Sequence, residues 1–263
     1  MSFGRFLGLA GAASLLIAGA ASAQSGEPAA PAAEVAPITE AAPAPVADLT
    51  EAHAAAQPGD AKAGASKAAA CAACHGVDGN SADPQYPKIA GQHERYTARH
   101  LALFKSGERN NPIMLGFAAP LTPQDMRDIG AHFAAQAALP GTADETLIAQ
   151  GPNQGKKFYQ VGERLWRGGD AGRGIPACAA CHGPDGRGNP GPAYPSLAGQ
   201  HAGYTAAQLT AYRAGTVLGK GQQANAVMAG VAKALTDEEI QALATYAQGL
   251  HSAARAEVAA SKP

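Results

Sequence analysis

Apolar residues recur along most of the chain at spacings of three and four, the period of an α-helix with one buried face. The helix predicted over residues 93–106 has its apolar stripe at three positions, Tyr96, Leu101 and Phe104. A matching helix is predicted over residues 201–214. No segment shows the strict alternation of apolar and polar residues that is typical of a half-buried strand. The pattern therefore predicts an all-α protein.

The predicted helices occur in pairs, with one member in each half of the chain. Residues 60–73 and 153–167 form one pair. Another pair begins at Thr122 and Thr236. Thr236 is followed three positions later by Glu239, as in a capping box, and Thr122 begins a looser version of the same pattern. This pairing indicates an internal duplication.

The duplication extends to short sequence segments outside the helices. Ala-Gly-Gln-His occurs at residues 90–93 and again at 198–201. We expect two domains, at residues 57–140 and 152–252, joined by a linker at residues 141–151. Each segment is small for an independent hydrophobic core, so a large apolar cofactor would complete it.

Both ends of the chain are predicted to lie outside these domains. Residues 1–23 have the pattern of a secretory signal peptide, with a basic start, an apolar stretch and a small-residue cleavage site. The apolar stretch is shorter than the roughly 20 residues that cross a bilayer, which disfavours a retained membrane anchor. Residues 24–56 are rich in Ala and Pro and carry acidic side chains but no Lys or Arg, so they are predicted to form a flexible acidic tail. Residues 253–263 form a C-terminal tail.

The charge balance changes once these segments are set aside. The whole chain has a formal net charge of −1, whereas residues 57–263 contain 19 basic and 16 acidic residues. Neither this weak excess nor any motif indicates nucleic acid as a partner.

The pentapeptide CAACH occurs twice, at residues 71–75 and 178–182, and contains all four cysteines of the chain. Two thiols three positions apart and followed directly by a histidine form the attachment pattern of haem c. Each sulfur bonds a vinyl carbon of the porphyrin, and the imidazole binds the iron. The sequence thus predicts two covalently attached haem c groups. The attachment residues are Cys71, Cys74, Cys178 and Cys181, and the first axial ligands are His75 and His182.

Paired cysteines also occur in zinc sites, redox pairs and structural disulfides. Zinc ribbons place their two CxxC pairs about 15–20 residues apart, whereas Cys74 and Cys178 are separated by a whole domain. A thioredoxin-type redox pair does not need a histidine directly behind it. A disulfide framework is typical of small scaffolds that lack a core. These alternatives are disfavoured but stay open at the level of the sequence.

The methionines are candidates for the second axial ligand of each iron. Met114 and Met228 lie at corresponding places, in predicted loops between the middle and final helices of their halves. Met126 corresponds to Ile240, which cannot bind iron, so Met126 is predicted to be a core residue. The duplication therefore favours Met114 and Met228 as axial ligands.

His93 and His201 also correspond to each other, which keeps ligation of each iron by two histidines open as an alternative. Their position at the start of the middle helices favours a capping or surface role. The remaining histidines have no histidine counterpart in the other half and are predicted to be surface or packing residues: His53, His100, His132 and His251.

Four features together resemble the cytochrome c4 family. They are the two CAACHG motifs, the segment YPxxAGQ at residues 86–92 and 194–200, the NPIM segment at residues 111–114, and the ending LTDEEIQALATYAQGL at residues 235–250. The resemblance covers about residues 57–250. It implies two class I cytochrome c domains packed face to face, each wrapped around one covalently bound haem.

The resemblance also implies a role for two prolines. In such domains a proline carbonyl accepts the proton of the iron-binding imidazole, and Pro87 and Pro195 match that position. In the alternative, these prolines only shape their loops.

The function implied by the resemblance is that of a periplasmic electron carrier, not an enzyme. Such carriers take electrons from a quinol-oxidising complex and deliver them to a terminal oxidase, so any membrane contact would come through membrane-bound partners. The alternative is the haem subunit of a periplasmic redox enzyme, such as a di-haem peroxidase, a dehydrogenase or a sulfur-oxidising complex. A peroxidase needs an iron that can lose its sixth ligand, whereas the duplication gives each iron two internal ligands.

Overall fold

The computed structural model describes residues 56–221 and 224–251. The predicted signal peptide, nearly all of the acidic tail, His53 and the C-terminal tail lie outside the described residues. Within the described part no strand forms, and only isolated β-bridges occur in the loops. The α-helices are α1 (Ala61–Lys67), α2 (Ala72–His75), α3 (Glu94–Lys105), α4 (Pro112–Ala118), α5 (Pro123–Ala134), α6 (Phe158–Gly168), α7 (Ala179–His182), α8 (Ala202–Arg213), α9 (Val227–Ala232) and α10 (Asp237–Gly249).

The described residues contain two hydrophobic cores, one in each half of the chain. In the first half α5 packs on both α1 and α3, and in the second half α10 packs on both α6 and α8. The first core is centred on Leu103, Ile129 and Phe133, and the second on Leu165 and Trp166. The same arrangement of helices is thus built twice, which confirms the all-α fold and the duplication.

The final helices begin as their sequences predict. Thr122 accepts a hydrogen bond from the backbone N–H of Asp125, and the Asp125 side chain accepts one from the backbone of Thr122. Thr236 and Glu239 make the same reciprocal pair at the start of α10. Each capping box satisfies two N–H groups that the first turn of a helix leaves without intrahelical partners.

The helix predicted over residues 153–167 begins later than expected, at Phe158. The preceding residues form a turn in which Gly155 has φ +79°. The backbone N–H of Ile148 donates to the carbonyl of Lys156 at 2.9 Å. Since this turn uses backbone groups that a helix would need, α6 cannot extend further toward the N-terminus.

The secondary structure around Met114 and Met228 also differs from the prediction. Both were expected in loops, but they lie on the short helices α4 and α9. Asn111 caps α4 by accepting a hydrogen bond from the backbone N–H of Met114 at 3.0 Å, and Pro112 occupies the first turn.

In the two described stretches, no helix is both long and apolar enough to cross a lipid bilayer.

Candidate haem sites

Each CAACH motif forms a tight helical turn in the structure. Residues 68–71 make a 3₁₀ turn that continues into α2, and the second motif forms α7. Gly76 and Gly183 end these helices with φ of +81° and +77°, a conformation that residues with a Cβ adopt rarely. Residues at positions i, i+3 and i+4 share one helix face. Both thiols and the imidazole of each motif are therefore presented together.

His75 is buried and fixed in orientation by one hydrogen bond. Its Nδ1 lies 2.8 Å from the carbonyl oxygen of Pro87. A carbonyl oxygen can only accept, so Nδ1 carries the proton and, in the neutral ring, Nε2 has the free lone pair. Burial lowers the pKa of His75, with the Pro87 carbonyl opposing this shift, which favours the neutral ring. This is the tautomer that binds a metal through Nε2.

The second half repeats this geometry. His182 Nδ1 lies 3.0 Å from the carbonyl oxygen of Pro195, and burial likewise lowers the pKa of His182. Trp166 supports the second motif by donating from Nε1 to the carbonyl of Gly183 at 3.2 Å. Each proline carbonyl oxygen is thus within hydrogen-bonding distance of the imidazole of its own motif.

Each motif faces an apolar cavity. A cavity of about 750 Å³ is lined by the first motif and by a methionine from α4, with Cys71, Cys74, His75, Pro87 and Met114 in its wall. A cavity of about 140 Å³ is lined by Cys178, Cys181, His182, Pro195 and Met228. His182, Met228 and His100 line both cavities, so the two spaces adjoin.

These side chains fit a covalently bound haem. The four cysteines are free thiols, as thioether formation requires. Burial raises the pKa of Cys71, and it raises that of Cys178 to about 11, which disfavours the thiolates that bind metals directly. The apolar lining suits a porphyrin face, and an imidazole with a thioether is a ligand pair that holds haem iron in cytochromes c.

The other histidines have different surroundings. His93 and His201 line neither cavity. They occupy the positions before α3 and α8, but neither side chain caps its helix, so the predicted capping role is wrong. Instead, His201 Nε2 lies 2.9 Å from the carbonyl oxygen of Ser81. His100 is buried and packs against Tyr96, in agreement with its predicted packing role.

Comparison with known proteins agrees with this geometry. The sequence model of the cytochrome c family matches residues 61–135 and 154–251. The cytochrome c4 of Stutzerimonas stutzeri is 45% identical over 209 residues, which cover 76% of this chain and 92% of that protein. The chain belongs to the cytochrome c4 family. The fold also matches a crystal structure of reduced recombinant cytochrome c4 from Pseudomonas stutzeri with a TM-score of 0.65. The two sequences are 43% identical, and the match covers 73% of this chain and 100% of that chain.

A relative that is named for a different electron donor has a similar sequence identity to this chain. A thiosulfate dehydrogenase electron acceptor from Stutzerimonas stutzeri is 41% identical over 186 residues, which cover 70% of this chain and 80% of that protein.

Membership of the family settles the fold and the cofactor. The chain has two cytochrome c domains, and it binds two covalent haem c groups through its CxxCH motifs. Haem attachment is therefore confirmed over the zinc, redox-pair and disulfide alternatives. The chain is an electron-transfer protein and not an enzyme, as cytochromes c4 are.

Sequence reasoning missed the residues that join the two domains of this cytochrome c4 homologue. Gln92 binds the backbone of Ser196 through two hydrogen bonds of 3.0 Å, one to the N–H and one to the carbonyl. Gln200 makes the same pair to Lys88, at 2.9 and 2.8 Å. The repeated Ala-Gly-Gln-His segment marked both glutamines, but periodicity gives no sign that each one contacts the opposite domain.

A half-buried arginine forms a second contact between the domains. Arg109 donates to His100 at 2.7 Å within its own domain and to Tyr204 and Gln208 of the other domain at 2.8 and 3.0 Å. The guanidinium also lies 4.7 Å from the ring centroid of Phe104, within the range of a cation–π contact. The two domains are therefore joined in part by specific polar contacts.

Proposed function

We propose that each iron in this protein is held by one histidine and one methionine from its own domain. The first pair is His75 and Met114, and the second is His182 and Met228. The observation that carries this proposal is the hydrogen bond from each imidazole to a proline carbonyl, because it leaves Nε2 free in a cavity that also contains a methionine. Such ligation gives an iron that changes oxidation state without binding small molecules.

In this arrangement, residues of the chain orient each iron-binding imidazole and line each haem cavity. The buried imidazoles stay neutral, and the two proline carbonyls fix the plane of each ring. The lining of both cavities is mainly apolar, which suits a porphyrin face. Since the cavities adjoin, haem groups held in them would allow an electron to pass from one domain to the other within the protein.

The proposed physiological role rests on the resemblance to the cytochrome c4 family together with two such centres in tandem. The protein carries single electrons in the periplasm, from a quinol-oxidising complex to a terminal oxidase. The signal-peptide pattern of residues 1–23 supports the compartment, because haem c is attached outside the bacterial cytoplasm. Any membrane contact is peripheral and comes through these partners. The family match at residues 61–135 and 154–251 supports domain limits of 57–140 and 152–252.

A spectroscopic redox titration of the purified full-length protein tests this proposal. We expect two one-electron transitions and the absorption bands of low-spin haem with methionine ligation. The reduced protein should not bind carbon monoxide at neutral pH, since both irons have two internal ligands. Prompt carbon monoxide binding would favour the alternative in which the chain is the haem subunit of a redox enzyme.

A second candidate donor is supported by relatives that are named as thiosulfate dehydrogenase electron acceptors. The 41% identity to a thiosulfate dehydrogenase electron acceptor makes thiosulfate dehydrogenase a candidate donor. Stopped-flow reduction by each donor, a quinol-oxidising complex or thiosulfate dehydrogenase, would separate the two. The physiological donor should reduce the protein faster and with a rate that falls as salt increases.

A further inference from the structure

Two peptide groups in this protein are shared between the domains. The peptide that joins Pro87 to Lys88 has its carbonyl oxygen 2.8 Å from His75 Nδ1. Its N–H donates to Gln200 Oε1 of the other domain at 2.9 Å. One peptide plane therefore connects the imidazole of the first domain to a side chain of the second.

The second domain contains the matching arrangement. The peptide that joins Pro195 to Ser196 has its carbonyl oxygen 3.0 Å from His182 Nδ1. Its N–H donates to Gln92 Oε1 of the first domain at 3.0 Å. Each glutamine thus reaches across the interface to the peptide that holds the other domain's histidine.

The orientation of both amides is dictated by their partners. Gln200 Oε1 accepts from two backbone N–H groups, those of Lys88 and His201, while its Nε2 donates to the carbonyl of Lys88. If the amide were flipped, its NH₂ group would face the backbone N–H groups of Lys88 and His201, and two donors cannot hydrogen-bond to each other. Both glutamines are buried, so these bonds are shielded from water and electrostatically strong.

A hydrogen bond to the N–H end of a peptide makes its carbonyl oxygen more negative, because bonds in a chain polarise one another. A more negative carbonyl accepts the imidazole proton more strongly. The imidazole then becomes a more basic ligand, and a more basic ligand stabilises ferric over ferrous iron.

We propose that Gln200 and Gln92 are positioning residues that each tune the iron of the opposite domain, through the Pro87–Lys88 and Pro195–Ser196 peptides. The inference rests on the proposed ligation by His75 and His182. Docking of the two domains thereby sets the basicity of both iron ligands, in addition to bringing the two sites together.

The test uses the full-length holoprotein and the variants Gln200→Leu and Gln92→Leu. The first readout is the proton resonance of each histidine Nδ1–H in the reduced protein. Gln200→Leu should move the His75 resonance upfield and leave that of His182 in place, and Gln92→Leu should do the reverse. The second readout is the ferrous-to-ferric ratio at fixed applied potential. It should rise about two- to tenfold at the iron opposite the substituted glutamine only.

Two further variants separate tuning from simple fastening of the domains. Gln200→Glu keeps an oxygen opposite the Lys88 N–H and adds charge, so the His75 resonance should lie at or downfield of its original position. This variant also serves if Gln200→Leu does not fold. Gln208→Leu removes another contact between the domains, the one to Arg109, and should leave both Nδ1–H resonances unchanged.

The inference is overturned if both resonances move together in each variant, or if neither moves. Failure of the proposed ligation has a different signature. In that case the unaltered protein itself would lack the spectrum of two histidine- and methionine-ligated haems.

Discussion

Gly162 packs directly on the backbone of Ala242. A Cβ atom placed on Gly162 would lie 2.1 Å from the Ala242 carbonyl oxygen, which is far inside van der Waals contact. The first domain repeats the relationship between Gly64 and Asp128, where the corresponding distance would be 2.0 Å. In each domain, a glycine therefore allows the first helix to pack tightly against the last.

Gly162→Ala should destabilise the second domain by about 2–3 kcal/mol, because α6 and α10 must move apart to accept the methyl group. Trp166 is the only tryptophan of the chain and lies in this core, so its fluorescence reports the unfolding of that domain. Gly203→Ala is the matched control. It is a helical glycine with open space around it, and alanine there should be neutral or stabilise by up to about 1 kcal/mol. Equal effects of the two substitutions would contradict the packing argument.

Met114→Ala and Met228→Ala should each open one iron, allow carbon monoxide to bind to that haem and lower its reduction potential. The physical reason is that thioether sulfur is a soft ligand that favours ferrous iron. Absorption spectra and redox titration measure both effects.

Met126→Leu is the control for the methionine variants. Met126 is buried in the first core, so the change should cost less than about 1.5 kcal/mol of stability and leave the spectrum intact. If Met114→Ala leaves spectrum and potential unchanged, Met114 is not the ligand.

The stability of the first domain should depend on pH through Asp125. A hydrogen bond from Lys67, with further ones from Thr122, lowers the pKa of this carboxyl to about 2. The unfolded chain binds the same proton near the usual value of 3.8. This stabilisation is therefore complete above about pH 4 and is lost as the pH falls toward 2.

Asp125→Asn should lower the free energy of unfolding by about 1 kcal/mol at pH 6, a modest value because the pair is partly open to water. It should also flatten the loss of stability between pH 4 and pH 2. Lys67→Met removes the partner and should flatten the profile in the same way. Urea unfolding at several pH values measures the free energy of unfolding. If its dependence on pH between 4 and 2 is unchanged in both variants, Asp125 is not the group responsible.

Trp166→Phe tests the support of the second motif. Phenylalanine keeps most of the packing but leaves the carbonyl of Gly183 without its donor, which should cost about 1–2 kcal/mol. Trp166→Ala should cost more, about 3–5 kcal/mol, because it also leaves a cavity. Calorimetry of the holoprotein compares the two, and a larger loss for phenylalanine than for alanine would contradict the packing role.

Local signals predicted much of the fold. Thr122 and Thr236 marked helix starts because a capping box depends only on residues within one turn. The spacing of Tyr96, Leu101 and Phe104 gave the limits of α3 to within one residue at each end. The start of α6 was missed because the turn at Gly155 is held by Ile148, whose hydrogen bonds a helical period does not reveal.

The sites were predictable to a similar extent. The CAACH motifs gave the cofactor and its number because their chemistry lies within five residues. The axial role of Met114 and Met228 stays a prediction, as do the domain limits. The roles of Gln92 and Gln200 could not be read from the sequence, since hydrogen bonds between domains depend on how two finished surfaces meet.

The crossed bonds of the two glutamines have a consequence for the origin of the chain. Gln92 and Gln200 occupy corresponding positions, and so do their partners Ser196 and Lys88. An interface in which each copy offers the same patch to the other is isologous, the kind found in twofold-symmetric homodimers. A single ancestral domain with this segment would have matched a second copy of itself. In the single chain, the two glutamine contacts keep this symmetric pattern although other residues of the two halves differ.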